Sequence, residues 1–360
     1  MMKGGVGTEA FTYDPVGNRL TDMQGRSYTY NNGNELLNYD GVAAGFSLRY
    51  DANGNMVSKT DSTGTTRYTY NTENQLIRID FPDGKIAEYK YDPFGRRIQK
   101  AVTDANTTTI TKYVYDREDI LFELDGSGNV ITEYVHGPGI DEPIAMIKGG
   151  QTYYYHADGL GSIIAITDSA GRVVQRYEYD SFGNITYRQD LNFVQPYTYT
   201  GREYDTESGL YYYRARYYDA KIGRFLQRDP ILAPINLTTV GLSQPINKNI
   251  WLLPYVIGYP KLLQPYAYAG SNPINFVDPE GLTSIFFGRP WFYFRVPPRG
   301  IPPENWWQWS EPNLPPGACF PKSIPRPPIP PWWDKLNPEK WPYKPEPHYH
   351  PHPEPHPPDA

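Results

Sequence analysis

The sequence predicts an all-β protein built from antiparallel β-hairpins. The chain of 360 residues contains 33 Tyr, 32 Gly and 37 Pro but only 21% charged residues, a composition rich in strand and turn formers and poor in helix formers. A short motif recurs about every 20 residues, and aromatic and polar residues alternate just before each copy. These observations argue against helical bundles and parallel α/β folds.

The recurring motif is Tyr-Asp-x-x-Gly. The starts of the first five copies are separated by 17, 20, 20 and 21 residues, the period of a stacked supersecondary unit. Four copies are clear and two, in which Asn replaces the Asp, are weaker; in chain order they begin at Tyr13, Tyr30, Tyr50, Tyr70, Tyr91 and Tyr179.

Each motif predicts a type I β-turn flanked by two strands. Asp or Asn occupies the first turn position and Gly the fourth, and the Asx side chain is expected to bond back to the turn amides. These acids lie tens of residues apart, unlike the dense acids of a calcium loop. We therefore interpret Asp14, Asp51, Asp92 and Asp180 as turn formers and not as metal ligands.

Before the turns, segments such as Arg67-Tyr68-Thr69-Tyr70 put the tyrosines on one face and polar groups on the other. A two-stranded unit cannot bury such a face alone, so we expect the units to form one continuous sheet that rolls up or packs on itself. The tyrosines are expected to line its inner wall. A platform on which carbohydrate stacks is the alternative.

The composition changes near Leu282. Of the 37 prolines, 23 lie in residues 283–360, together with 7 of the 8 tryptophans. We expect a disordered N-terminus at 1–10, repeats at 11–150, a less repetitive core at 151–282 and an irregular Pro/Trp-rich tail at 283–360.

Charge and hydrophobicity exclude several classes of protein. The net charge of -6 without a basic stretch argues against a nucleic-acid-binding protein. The longest apolar run, 250–259, is too short to span a bilayer, and no Sec signal peptide is visible. The lone Cys319 excludes a disulfide scaffold but leaves the compartment open, with export by a dedicated system or association with the cell surface expected.

From residue 153 onward the sequence is less repetitive, and its motifs each occur once. They include Tyr-Tyr-Tyr-His-Ala-Asp-Gly-Leu-Gly-Ser at 153–162, Gly-Leu-Tyr-Tyr-Tyr-Arg-Ala-Arg-Tyr-Tyr-Asp at 209–219 and Asp-Pro-Glu-Gly-Leu at 278–282. Over residues 11–282 the chain resembles the RHS/YD-repeat family, which includes bacterial polymorphic toxins and Tc toxin C subunits. The later motifs resemble the core domain of that family.

The resemblance implies a β-strip wound into a shell that encloses or presents a variable C-terminal segment in toxin delivery or intercellular competition. Complete shells of the family are longer, so we expect a terminal fragment or a short orphan copy. The implied partners are an upstream RHS segment or another shell-forming chain, and secretion or delivery machinery. The alternatives are a carbohydrate-recognition module without cleavage and a nonfunctional recombination remnant.

The resemblance also implies a self-cleavage site of the aspartyl-protease type. In the family, aspartates of two Asp-Pro motifs and a nearby arginine are thought to cut the chain after the second motif. The matching residues here are Asp229, Asp278 and Arg216, and the scissile bond is Leu282-Thr283. Two adjacent carboxylates cannot both ionise, so one would keep its proton while the other activates water.

Local features leave a purely structural role open. Asp278-Pro279-Glu280-Gly281 has the spacing of an ordinary turn, Leu232 stands where the family has glycine, and residues 233–263 are an insertion. Alternation along a strand at 210–218 predicts Arg214 and Arg216 on one face, where one of them could hold a carboxylate charged.

The remaining histidines suggest no further chemistry. His156 has no nucleophile arranged around it and is expected to be a buried, hydrogen-bonded motif residue. In the tail, interleaved prolines point neighbouring histidines to different sides, which favours a solvated terminus over a metal site at His348, His350, His352 and His356. We expect no cofactor and no metal.

Overall fold

The computed structural model describes residues 9–40, 45–230 and 264–282, and the backbone of 285–286. It is an all-β structure, as the sequence predicts. Its strands are β1 Phe11–Tyr13, β2 Arg19–Asp22, β3 Ser27–Tyr30, β4 Leu36–Asp40, β5 Phe46–Tyr50, β6 Met56–Asp61, β7 Gly64–Tyr70, β8 Leu76–Asp80, β9 Ile86–Tyr91, β10 Arg97–Asp104, β11 Thr107–Asp116, β12 Asp119–Asp125, β13 Val130–His136, β14 Pro143–Lys148, β15 Gln151–Ala157, β16 Ile163–Asp168, β17 Val173–Tyr179, β18 Ile185–Arg188, β19 Glu203–Asp205, β20 Leu210–Tyr213, β21 Arg216–Asp219, β22 Arg224–Phe225, β23 Phe276–Val277 and β24 Ile285–Phe286.

The first 18 strands form one antiparallel sheet, the wall, in which each strand pairs with the next along the chain. Strands β19–β22 form a second, four-stranded sheet, and β23 pairs with β24. Two short 3-10 turns, Tyr199–Gly201 and Tyr268–Ser271, lie between them. The described residues contain no helix with the length and apolarity needed to cross a bilayer.

The repeat turns have the predicted geometry. In the first, Gly17 N–H donates to Asp14 O at 3.1 Å, and Asp14 Oδ1 accepts from the amides of Val16 and Asn18 at 3.1 and 2.8 Å. Gly17 has φ +91°, a left-handed conformation that glycine adopts without strain. In the weaker copies, Asn34 at φ +62° occupies the corresponding position, because Asn tolerates this region better than most residues.

In most repeats after the first, the tyrosine that precedes the turn links its hairpin to the previous one. Its hydroxyl donates to the carbonyl of the residue that follows the preceding repeat turn, as in Tyr70 to Met56 O at 2.8 Å and Tyr91 to Leu76 O at 2.6 Å. The same bond is made by Tyr30, Tyr115 and Tyr179. His136 replaces the tyrosine at one repeat, and its Nε2 lies 2.9 Å from Ile120 O. We call this series the hydroxyl ladder.

The tyrosine-bearing face of the wall is covered by residues 195–230 and 264–282, which we call the plug. One core cluster joins wall residues such as Leu36 and Leu76 to Tyr212 and Leu226 of the plug. A second cluster packs the later wall strands against Tyr197, and a third lies within the plug. The prediction that the tyrosines face an interior is therefore confirmed.

A buried arginine joins the wall to the plug. Arg97 of β10 is 1% exposed and donates to Glu203 Oε2 at 2.8 Å and to Asp205 Oδ2 at 2.5 Å. Burial by itself lowers the pKa of Arg97, but attraction to Asp205 and neighbouring groups outweighs this effect and raises it. Lys100 also contacts Asp205, at 2.8 Å, so the charges are paired within the interface.

The motif residue His156 lies on the outer face of strand β15. His156 is hydrogen-bonded, with Nε2 2.9 Å from Thr167 Oγ1, but the prediction that it is buried was wrong. Alternation turns Tyr155 inward and therefore His156 outward, so its ring is exposed. The domain boundaries at 150 and 282 stay predictions, and residues 1–8 and the tail beyond residue 286 lie outside the described residues.

The hydroxyl ladder makes a testable contribution to stability. Tyr70→Phe should reduce the free energy of unfolding by about 1 kcal/mol, because Met56 O loses its side-chain donor while the ring stays packed. Tyr154→Phe is the matched control, since Tyr154 is 43% exposed on the outer face. Urea denaturation measures both variants, and equal midpoints would contradict a stabilising ladder.

Candidate functional site

The three residues expected to cut the chain lie together in the plug. Arg216 begins β21, Asp229 follows β22 and Asp278 follows β23. The Arg216 Nη2 atom lies 3.2 Å from Asp229 Oδ2 and 3.3 Å from Asp278 Oδ2, so one guanidinium contacts both carboxylates. Arg216 and Asp278 are each 2% exposed and Asp229 is 8% exposed.

The guanidinium of Arg216 is held from several directions. Its Nη1 donates to Pro265 O at 3.0 Å, its Nε donates to Gly281 O, and its Cζ atom lies 3.7 Å from the centre of the Phe225 ring. Burial lowers the pKa of Arg216, while the charges of Asp229 and Asp278 oppose that shift. A single cation thus faces two acids in a site nearly closed to water.

Asp278 is also a turn former. Its carbonyl accepts from Gly281 N–H at 3.2 Å, and its Oδ1 accepts from Leu282 N–H at 2.9 Å. Asp14 makes the corresponding bonds to Gly17 and Asn18 in the first repeat. The turn role and the contact with Arg216 coexist, because the two carboxylate oxygens of Asp278 have different partners.

The expectation of a continuous strand at 210–218 was wrong. The chain turns back between β20 and β21, where Tyr213 pairs with Arg216 and the two turn residues are Arg214 and Ala215. Arg214 has φ +49°, a left-handed conformation that ends the strand. Arg214 and Arg216 therefore do not alternate along one strand, although both reach the loop 278–282.

This loop approaches the hairpin closely at Gly281. The residue has φ +64°, and a Cβ atom there would lie 2.5 Å from Tyr213 O. Only glycine fits both the backbone conformation and the space. The contact holds the residue before Leu282 against the hairpin that carries Arg216.

Sequence reasoning named Arg214 as an arginine that could hold a carboxylate, but it missed Asp141 as the partner and the bond from Arg214 to the loop 278–282. Arg214 Nη1 donates to Pro279 O at 2.6 Å, and its Nη2 donates to Asp141 Oδ1 at 2.8 Å. Asp141 lies between β13 and β14, where His-Gly-Pro-Gly-Ile-Asp replaces the repeat motif. That interruption of the period was the available signal.

The predicted cleavage position lies at the limit of the described structure. Leu282 is described, whereas Thr283, Leu232 and the insertion at 233–263 lie outside the described residues. No group of three or more His, Cys, Asp or Glu side chains suited to a metal ion occurs in the described part of the chain.

The geometry defines a class: a β-repeat wall whose aromatic face is covered by a C-terminal plug carrying two buried aspartates on one arginine. Comparison with known families agrees with this class, because the Teneurin YD-shell family model matches residues 1–274. The chain belongs to this family.

The relatives include bacterial toxins. The chain is 34% identical over 278 residues to a tRNA3(Ser)-specific nuclease WapA of Bacillus spizizenii, a match that covers 75% of this chain and 11% of that protein. It is 26% identical to the toxin protein Tse5 of Pseudomonas aeruginosa, over 66% of this chain and 19% of that protein. A crystal structure of TcdB2-TccC3-Cdc42 matches with a TM-score of 0.44 and 18% identity, over 76% of this chain and 17% of that one.

Substitution at Gly281 tests the close approach of the loop to the hairpin. Gly84→Ala should cost about 1 to 2 kcal/mol of unfolding free energy, because Gly84 has φ +85° but no neighbour within 4 Å of a Cβ. Gly281→Ala should cost more, since strain and a collision with Tyr213 O combine there. Urea midpoints of the two variants compare the effects, and equal losses would mean that the contact is loose.

Proposed function

We propose that this chain is the C-terminal part of a β-shell in a bacterial toxin-delivery or competition system and that it releases its own C-terminal segment by hydrolysing the Leu282-Thr283 bond. One observation carries the proposal of cleavage: Arg216 Nη2 contacts both Asp229 and Asp278. The proposal of delivery draws on the toxin relatives, of which this chain matches only 11% to 19% of the length.

The proposed reaction is addition of water to a peptide bond. One carboxylate of the pair takes a proton from water as its oxygen attacks the Leu282 carbonyl carbon. The other carboxyl, which holds the proton shared by the pair, donates it to the Thr283 nitrogen as the C–N bond breaks. The products are a Leu282 carboxyl group and a free amine on Thr283.

The surroundings of the pair support this division of roles. Two negative charges next to one buried cation leave an excess charge that a single proton neutralises. Asp278 Oδ1 already contacts the Leu282 amide, so this carboxyl lies one residue from the bond to be cut. Arg216 holds the carbonyl of Gly281, which fixes the chain immediately before Leu282.

The alternative of a carbohydrate platform has less support. The repeat tyrosines pack into the core clusters and make the hydroxyl ladder, so their faces are not free for sugars. Among the tyrosines of the described residues, Tyr154 and Tyr187 are the exposed ones.

Cleavage can be followed by intact mass during cell-free synthesis of the full chain. The wild type should accumulate a product ending at Leu282 and a second starting at Thr283. Asp278→Asn and Asp229→Asn should cut at least about 100-fold more slowly, because each removes a proton-transfer group while keeping the side-chain shape.

Asp51→Asn is the matched control, because Asp51 makes the same turn bonds as Asp278 and has no contact with Arg216. It should cut at the wild-type rate. A wild-type chain that stays whole, or Asn variants that cut as fast as Asp51→Asn, would overturn the proposed self-cleavage.

A further inference from the structure

Three successive carbonyls before the proposed cleavage site are bound by residues 214–216, the β20–β21 turn and the first residue of β21. Pro279 O accepts from Arg214 Nη1 at 2.6 Å and Glu280 O accepts from Ala215 N–H at 3.2 Å. Gly281 O accepts from Arg216 Nε. The loop is therefore held in one register, in which its next residue is Leu282.

The first of these donors adopts an unfavourable backbone conformation. Arg214 has φ +49°, a region in which side chains other than Gly, Asn and Asp are uncommon. A residue in this region persists only where its surroundings compensate for the strain, and such residues cluster at functional sites. Two side-chain contacts supply the compensation here, to Pro279 O and to Asp141.

Asp141 brings the wall into this arrangement. Its Oδ1 accepts from Arg214 Nη2 at 2.8 Å and from Arg202 Nη1 at 2.5 Å. Its side chain is 8% exposed, and the guanidinium of Arg202 also donates to Tyr212 O at 2.8 Å. A carboxylate of the wall thus lies between two arginines of the plug, one of which reaches the loop.

The backbone around Asp141 is tightly packed as well. Asp141 has φ +57°, and a Cβ atom added to Gly201 would lie 2.3 Å from Asp141 O. The contact therefore requires that the loop between β13 and β14 is fully seated on the plug. His136, at the start of this loop, keeps its place in the hydroxyl ladder through Ile120 O.

We propose that Asp141 and Arg214 are a positioning pair that holds Pro279 in register for the cut, so that cleavage depends on seating of the β13–β14 hairpin on the plug. This inference rests on the proposed self-cleavage and adds a condition to it. Arg214 binds the Pro279 carbonyl on one side and Asp141 on the other, so the pair acts on the cleavage site through the loop. The cleavage site is therefore complete only when the β13–β14 hairpin is seated on the plug.

Arg214→Gly tests the pair without disturbing the fold. Glycine favours the left-handed conformation at this position, so the hairpin should fold at least as well as in the wild type. Loss of both side-chain contacts should slow cleavage by at least about tenfold, because the loop loses a charge-assisted bond. Guanidinium ion at low millimolar concentration should restore part of the rate, which a purely structural defect would not allow.

Arg117→Gly is the matched control. Arg117 is also a left-handed arginine, with φ +55°, but it lies in the turn between β11 and β12, away from the loop. It should cut at the wild-type rate. Asp141→Asn tests the wall partner: asparagine tolerates φ +57° and keeps an acceptor oxygen, so only the charge is lost and cleavage should slow severalfold.

The cleavage rate of each variant is measured by intact mass with Asp278 in place. The urea midpoint of each variant is measured separately in an Asp278→Asn background, so that cleavage does not interfere. Slow cleavage by Arg214→Gly with an unchanged midpoint and partial rescue by guanidinium supports the pair. Cleavage at the wild-type rate, or a loss that follows the midpoint and resists rescue, overturns it. A wild-type chain that stays whole overturns the proposed self-cleavage itself.

Discussion

The bond from the tyrosine before a repeat turn to the carbonyl after the previous repeat turn connects the strands of the wall beyond ordinary sheet pairing. A bulge interrupts the register next to Tyr30, Tyr50, Tyr70 and Tyr115, where the backbone ladder is irregular. Next to the bulges at Tyr30, Tyr70 and Tyr115, the tyrosine hydroxyl donates a hydrogen bond to a carbonyl of the neighbouring hairpin. The two hairpins therefore stay bonded where the backbone ladder is irregular. The rings of Tyr30, Tyr70 and Tyr91 pack against the first core cluster, so the residues that make these bonds also contribute to the aromatic inner face.

An aromatic inner face of this size needs a cover, and the plug supplies both apolar and charged contacts to it. Tyr212 and Tyr217 pack on the wall while their hydroxyls contact Arg97, at 3.1 Å each. Lys59 of the wall pairs with Asp219 of the plug at 2.9 Å. Such buried pairs are costly to leave incomplete, so a partly seated plug would be far less stable than a fully seated one.

Regular features were predictable from the sequence, because they depend on neighbours in the chain. The Asp14 turn follows from the Tyr-Asp-x-x-Gly spacing, and the inward direction of Tyr68 follows from alternation. The aspartates on Arg216 were identified through the resemblance to a family, since residues 216 and 278 have no local relation. The turn at Arg214 and its contact with Asp141 could not be predicted, because a left-handed turn at an arginine is rare and the contact spans a sequence separation of 73 residues.

The residues that directly follow the repeat turns form a buried row on the inner face of the wall. Most of its members are apolar, such as Leu36, Met56, Leu76 and Ile120, and two of them, Arg19 and Arg97, are arginines. Repeats of nearly equal length would let a rigid cover slide by one unit and meet a similar surface. Arg97 lies opposite Glu203 and Asp205 and removes that degeneracy, since a shift by one repeat would bury the two carboxylates against Leu76 or Ile120. Arg97 thus distinguishes its repeat from the neighbouring ones and determines which repeat lies opposite Glu203 and Asp205 of the plug.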